Sequence, residues 1–363
     1  MILRSQYRAP MLICDETAAL GDALAPELAP GFFMLASPSA QRANAPLREV
    51  LTRLAQDPRC LGRLDDADTL PATGAAHPTL LAFGGGTVID RAKCLKARAA
   101  ESGVAVRLVS IPTMLGSGAE RNDVAVWVDE NGVKRNAAAD SLRVDCALWC
   151  LPLLASLDAR QIATGLFDAF MHLFERFFYR GRHSIDAWDG INLDTARQLL
   201  RAIDTVDTLP RDTATLLYLV KLTNLANAFD ADMHARADWG LHQISHVLSR
   251  YYPEAPHAVA LASLLPRWLA LRLAAGDTVV QRWLCAVLGY PETSTPAALL
   301  AALTGIMARL GPCPDLSHIR TPEHWAEFTA EVASMNPSGT VGNYFIIGAN
   351  ELAALCDHDV AHA

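Results

Sequence analysis

The stretch TLLAFGGGTVIDRAKCLKARAA, residues 79–100, restricts the fold more than any other part of the chain. An apolar run ends in Gly84, Gly85 and Gly86, and an amphipathic pattern begins at once. A strand that passes through glycine straight into a helix is the opening of a βαβ unit, and such units build parallel sheets. Glycines there let the backbone come close to a phosphate, and the start of the helix offers N–H donors and the positive end of its dipole. The spacing is neither GxGxxG nor GxxxxGK[ST], so a tight strand–helix turn with no ligand stays open as the alternative reading of the glycines alone.

The same alternation runs through the first half. APMLICD and GFFMLAS read as strands, and ETAALGDALAPEL as a helix. Leu47, Val50, Leu51 and Leu54 have the i, i+3, i+4, i+7 spacing of a helix, and VAVRLVSIPT reads as another strand. The segment 59–78, rich in Pro, Gly and Asp, reads as a loop with one strand edge. DENG is a hairpin-like turn, and DCALWCL a buried segment. From about residue 155 long amphipathic stretches take over, at 158–180, 190–206, 212–228, 235–251, 257–275, 296–309, 322–335 and 345–357. The expectation is an α/β domain with a parallel sheet covered on both faces, residues 1–155, followed by an all-α domain, residues 156–363.

Composition narrows the function. Hydrophobic residues make up 51% and charged residues 19%, enough for large cores and little for disordered tails. The net charge is −8 with no block of Lys or Arg, which leaves no electrostatic footprint for nucleic acid or an anionic membrane. No window holds 18 apolar residues, and MILRSQYRAPMLICDE has no signal-peptide core. Eight cysteines without a CxxC pair fit reduced thiols in the cytoplasm.

Only 11 histidines occur in 363 residues, yet His242, His246 and His257 crowd into DWGLHQISHVLSRYYPEAPHAV. His242 and His246 are four apart, so a helix projects both from one face; Asp168 and His172 in GLFDAFMHLFE have the same spacing. His257 follows Pro256, where a new helix can start. One such histidine is more often a satisfied core residue, but a carboxylate with several imidazoles in apolar helices suits a divalent transition metal.

These segments carry a resemblance. GGGTVIDRAK resembles the GGGSxxDxAK signature of the iron-dependent alcohol dehydrogenase superfamily, with Thr87 in place of Ser and Asp90 and Lys93 matching. SIPTMLGSGAERNDVAVWVDENGVK resembles IPTTxGTGSEVTxxAVI…K through Thr113, Gly116, Gly118, Glu120 and Lys134; Met114, Ala119 and Arg121–Asn122 depart from it. GLFDAFMHLFE is similar to GMDALTHAIE, and HQISHVLSRYYPEAPHAVALASLLP to HxxxHPLGxxYxxPHGxxxAxLLP.

The resemblance implies a dehydroquinate-synthase-like two-domain fold and hydride transfer between nicotinamide and a small alcohol or aldehyde. It implies Asp168, His172, His242 and His257 as ligands of one divalent metal, iron or zinc, and His246 as a nearby proton carrier. It places the cofactor on Gly84, Gly85, Gly86, Thr87, Asp90, Thr113, Met114, Ser117 and Lys134, with Asp15 on the adenosine ribose. An Asp there favours NAD(H), with NADP(H) still possible, unless Asp15 only caps the following helix; Arg121 suggests an anionic substrate if it faces the pocket and not the solvent. A homo-oligomer is expected. A maleylacetate-reductase-like enzyme, a sugar-phosphate-cyclase-like lyase and a catalytically silent nucleotide-binding relative stay open as alternatives.

Overall fold

The computed structural model describes residues 8–28, 30–65, 69–72, 74–75, 77–228 and 237–357. Eight strands appear in chain order: β1 (Met11–Cys14), β2 (Phe32–Ala36), β3 (Cys60–Arg63), β4 (Thr79–Gly84), β5 (Arg107–Pro112), β6 (Val124–Val128), β7 (Lys134–Ala138) and β8 (Cys146–Cys150). Helices α1 (Thr17–Leu28), α2 (Pro38–Ala43), α3 (Ala45–Ala55) and α4 (Gly86–Glu101) lie between them. The chain continues as α5 (Ala159–Phe177), α6 (Gly190–Asp204), α7 (Thr213–Ala226), α8 (Gly240–Tyr251) and α9 (His257–Ala274). Then follow α10 (Thr278–Leu288), α11 (Pro296–Met307), α12 (Pro322–Ser334) and α13 (Ala349–Leu355). Among the described residues no helix is long and apolar enough to cross a membrane.

Six strands form a parallel sheet in the order β1-β8-β5-β4-β2-β3, while β6 and β7 pair antiparallel around the DENG turn. Leu20 and Leu24 of α1 and Leu47, Val50, Leu51 and Leu54 of α3 pack on one face. Ile89, Ala92, Leu95 and Ala99 of α4 pack on the other. From β2 the chain moves outward to β3 on one face, and from β4 it moves to β5 across the opposite face. The crevice of such a sheet opens where these directions diverge, at the carboxyl ends of β2 and β4. The glycine run stands there.

Two elements differ from the sequence expectation. CALWC is β8, an inner strand between β1 and β5, and all five of its residues are buried. A strand covered on both faces has no polar alternation to reveal it. Helix α10 was not expected, although Asp277 caps it through the Val279 and Val280 N–H groups and Gly289 ends it at φ 76°. In the stretch 235–251 the described helix begins at Gly240, and 235–236 lie outside the described residues.

Helix α5 is the spine of the helical half. An Asp158–Gln161 capping box starts it, and 14 of its 19 residues are buried. Phe170, Phe174 and Phe178 pack against Trp283 and Trp268 with ring centroids 5.2–5.9 Å apart. Its other face meets the loop after β5 backbone to backbone. A Cβ on Gly116 would lie 2.1 Å from Gly165 O, and one on Gly165 would lie 2.7 Å from Leu115 O.

The entry to α8 is tied to the C-terminal segment. Asp238 Oδ1 accepts from the N–H groups of Asn343, Tyr344 and Phe345 at 2.6, 2.9 and 3.3 Å, and Oδ2 is buried without a partner. Burial and the nearby Glu175 charge raise the Asp238 carboxyl to about 7. Trp239 follows with φ 50°, the one non-glycine positive φ among the described residues.

Gly116→Ala should lower stability to urea by about 3 kcal/mol, since it combines the left-handed penalty at φ 105° with the clash on Gly165. Gly276→Ala, at φ 74° with nothing within 4 Å, isolates the conformational part at about 1 kcal/mol. Equal costs would show that the contact with α5 contributes nothing. For Asp238 the raised carboxyl favours the protonated form in the fold. Its contribution is therefore full below pH 4 and lost as pH rises towards 7. Between pH 4.5 and 8, Asp238→Asn should gain roughly 2–4 kcal/mol on the wild type in urea titrations. Parallel pH profiles would mean the carboxylate is charged throughout.

Candidate metal centre and cofactor cleft

Helix α5 presents Asp168, α8 presents His242, and the first residue of α9 is His257. Asp168 Oδ1 lies 3.9 Å from His242 Nε2 and 3.9 Å from His257 Nε2. One donor atom from each of the three lies within 4.8 Å of the others. Both rings are aimed by their second nitrogen. His242 Nδ1 donates to Glu175 Oε2, while Glu175 Oε1 accepts from the Leu241 and His242 N–H groups at 2.9 and 3.3 Å. Ser245 Oγ donates to His242 O at 2.8 Å, which leaves a lone pair for His257 Nδ1 at 3.4 Å. The protons thus point outward and the Nε2 lone pairs face Asp168.

His172 stands beside this trio, its ring stacked on His242 at 4.9 Å and its Nδ1 buried without a partner. The ring of His246 lies 5.5 Å from His257, also with Nδ1 unpartnered. Burial holds both rings neutral, pushing His172 well below the ordinary imidazole range and His246 down to about 3. Burial pushes the Asp168 carboxyl up and the Lys134 ammonium down, and the two oppose these shifts in each other. Among the described residues Asp168 Oδ1 and His242 Nε2 have no hydrogen-bond partner. Buried lone pairs left converging are costly unless something binds them. One carboxylate with imidazoles is a donor set that suits iron(II) or zinc, so the residues fit a divalent ion.

Two cavities meet at this point. One, of about 640 Å³, runs from the glycine loop along Ser37, Asp65, Met114 and Ser117 to Asp168 and His257. The other, of about 430 Å³, runs from Thr87 along the β6–β7 hairpin, with Lys134, to His172, Arg176, Trp239, His242 and His246. They share Gly86, Thr87, Ser117, Asp168 and His257. The loop leaves its backbone bare to the first cavity. A Cβ on Gly85 would meet Met114 at 3.2 Å, and one on Gly86 would meet Ser117 at 3.1 Å. Gly85 caps α4 with no side-chain hydrogen bond, so a phosphate suits the opening of this helix.

Several expected residues sit elsewhere. Asp15 follows β1 at the sheet edge, and β8 and β5 separate β1 from β4, about 14 Å at the usual strand spacing. It lines neither cavity; Ser37 after β2 and Asp65 after β3 flank the glycine loop instead. Asp90 lines the second cavity, but its oxygens hold Lys93 Nζ at 3.0 Å and the Val126 N–H at 3.1 Å. This buried ion pair fastens α4 to the hairpin. Gly84 and Thr113 line neither cavity; the Thr113 N–H donates to Gly84 O. Arg121 does not reach the pocket either. Its Nε donates to Ala9 O at 2.8 Å and its Nη1 to Asn224 Oδ1 at 3.1 Å, a tie between the start of the sheet domain and α7. The sequence reading missed Glu175 and Arg176, although both follow Asp168 at i+7 and i+8, spacings that repeat one helix face.

Comparisons with known proteins agree with this architecture. Residues 69–149 match the family model described as iron-containing alcohol dehydrogenase, and residues 161–358 the C-terminal model of the Fe-containing alcohol dehydrogenase family. A probable NADH-dependent butanol dehydrogenase 1 of Bacillus subtilis is 25% identical over 52% of this chain and 52% of its own length. The phosphonoacetaldehyde reductase of Streptomyces viridochromogenes is 33% identical over 24% of the chain and 28% of its own length. The chain thus spans about half the length, or less, of these curated relatives. Among solved structures, an NADH-dependent butanol dehydrogenase A from Thermotoga maritima superposes with TM-score 0.75 at 16% identity, covering 99% of this chain and 98% of that one. A sulfoacetaldehyde reductase from Bifidobacterium kashiwanohense does so with TM-score 0.74 at 16% identity, covering 100% and 99%. With both family models accounting for most of its length, a parallel-sheet domain joined to a helical one, the chain belongs to the iron-containing alcohol dehydrogenase family.

Proposed function

We propose that the chain is a metal-dependent, NAD(H)-linked dehydrogenase that interconverts a small alcohol and its aldehyde. The observation that carries this reading is the convergence of the Asp168, His242 and His257 donor atoms where the glycine-loop cavity meets the second cavity. Asp168, His242 and His257 hold the metal, with His172 alongside. A divalent ion there supplies Lewis acidity towards the alcohol or carbonyl oxygen, and a nicotinamide supplies or accepts the hydride.

The chain's own residues do the rest. Glu175 and Ser245 fix the two imidazoles before any ligand arrives, which reduces reorganisation on binding. The bare backbone at Gly85 and Gly86 and the N-terminus of α4 receive the pyrophosphate. Met114 and Ser117 wall the reacting end, and the neutral His246 imidazole gives or takes the alcohol proton. The NADH-dependent names of the curated relatives support NAD(H).

Eight free thiols fit a reducing cytoplasm. A homodimer is the proposed assembly: among the described residues β1 is an edge strand of the sheet and exposes Leu12 and Ile13, and edges of this kind pair or are covered. Sedimentation velocity checks it, and a monomer at micromolar concentration excludes it.

The purified protein should carry about one iron or zinc per chain, and NADH should outperform NADPH in aldehyde reduction. His242→Ala should lose most of the metal. Glu175→Gln should weaken metal affinity roughly 10–100-fold in a chelator competition, because His242 loses its orienting carboxylate. Metal content unchanged in His242→Ala would sink the ligand assignment.

A further inference from the structure

Helix α5 carries a third polar residue on the stripe that holds Asp168 and His172. Arg176 continues it at i+8, one turn beyond His172 and about 12 Å along the axis from Asp168 at ~1.5 Å per residue. Side chains on a helix lean towards its N-terminus, so Arg176 reaches back over His172. Arg176 is only 8% exposed and lines the second cavity. Trp239 stands between it and the histidines. The Arg176 Cζ lies 5.3 Å from the Trp239 ring centroid, and that ring lies 6.0 Å from His172 and 5.3 Å from His242.

A buried guanidinium is expected to have a carboxylate partner. Among the described residues Arg176 has none within 4.0 Å. Its Nη1 donates to Ala226 O at 3.3 Å, and its Nε is buried with no acceptor. The adjacent Glu175 is occupied by His242 and two backbone N–H groups. Burial pushes the Arg176 group down to about 9, and the nearby Arg8 charge adds to that. The cation is largely buried, stacked on the Trp239 ring that also meets His172 and His242, in the cavity that the metal donors line, with unused hydrogen-bonding capacity among the described residues.

We propose that Arg176 binds the anionic end of the substrate, so that the aldehyde bears a carboxylate, sulfonate or phosphonate a few bonds from its carbonyl. This rests on reading the second cavity as the substrate side of the dehydrogenase. A guanidinium binds such groups through paired N–H donors, which Lys cannot reproduce. Arg121 was the expected anion-binding residue, and it is spent on Ala9 and Asn224.

The test compares succinate semialdehyde with butanal, aldehydes of equal chain length that differ in a terminal carboxylate, using metal-loaded enzyme and NADH. Wild type should prefer the semialdehyde in kcat/KM. In Arg176→Met the ratio of the two kcat/KM values should fall at least about 30-fold, mainly through KM, and Arg176→Lys should fall in between. A wild type that uses butanal as well as or better than the semialdehyde overturns the proposal. So does Arg176→Met lowering both substrates in the same proportion, the outcome of a merely structural role. If neither aldehyde is turned over, the dehydrogenase reading fails separately, and calorimetric titration with 4-hydroxybutyrate against 1-butanol decides this one. Binding of the hydroxy acid by wild type but not by Arg176→Met upholds the anion site; no selective binding by wild type removes it.

Discussion

Everything at the site depends on how close α5 comes to the sheet domain, and that is set where the backbone of Gly116 touches the backbone of Gly165. Met114 and Ser117 belong to the same loop as Gly116, and Asp168 lies one turn along the helix from Gly165. A side chain at either glycine would hold the loop and the helix apart by the width of a methyl group. The glycine-loop cavity would then part from the carboxylate it now shares with its neighbour. Packing density in a protein interior leaves little room to absorb such a shift. The glycines of GSG and ATG therefore matter for the spacing of two domains more than for local turns.

Against that fixed distance, α5 has two incompatible duties. One face supplies phenylalanines to an aromatic cluster with Trp268 and Trp283, and the other gathers the half-buried Asp168 and His172 with the buried Glu175 and Arg176. Polar groups buried in this way are tolerated when each finds a partner. Glu175 finds three hydrogen-bond donors. Asp168 Oδ1, His242 Nε2 and Arg176 Nε find none among the described residues, and these are the atoms that the proposed metal and substrate would meet. The aromatic face provides the apolar burial that offsets the cost of this polar one.

Much of this was legible in the sequence. The strand–glycine–helix order, the change near residue 155 from short runs to long amphipathic stretches, and the paired i, i+4 residues all have a strong local period. What escaped has a physical reason in each case. Strand β8 is apolar on both faces and shows no period at all. Helix α10 is marked by its Asp277 and Gly289 caps more clearly than by its interior pattern. Asp15 and Arg121 were chosen for chemical type and place in a motif. Which strand ends adjoin the glycine loop depends on strand order, and strand order is not a local property: β2 sits beside β4 although β3 comes between them in the chain. Glu175 and Arg176 could have been found by extending the Asp168–His172 stripe two more steps along the helix.

The rigidity of that stripe has an evolutionary consequence. Helix α5 is packed along nearly its whole length, so the residues on it cannot slide or lean much to suit a new ligand. Moving the guanidinium one position onward, to Phe177, would swing it about 100° around the axis into the aromatic core, and the position before it is held by Glu175, which orients His242. With position 175 taken by that carboxylate, the guanidinium returns to its own stripe three or four positions away, a shift of roughly 5 Å along the axis. The distance between the reacting centre and the cation therefore changes in whole helical turns. Relatives built on this helix would diverge in substrate length by jumps, with no graded series in between.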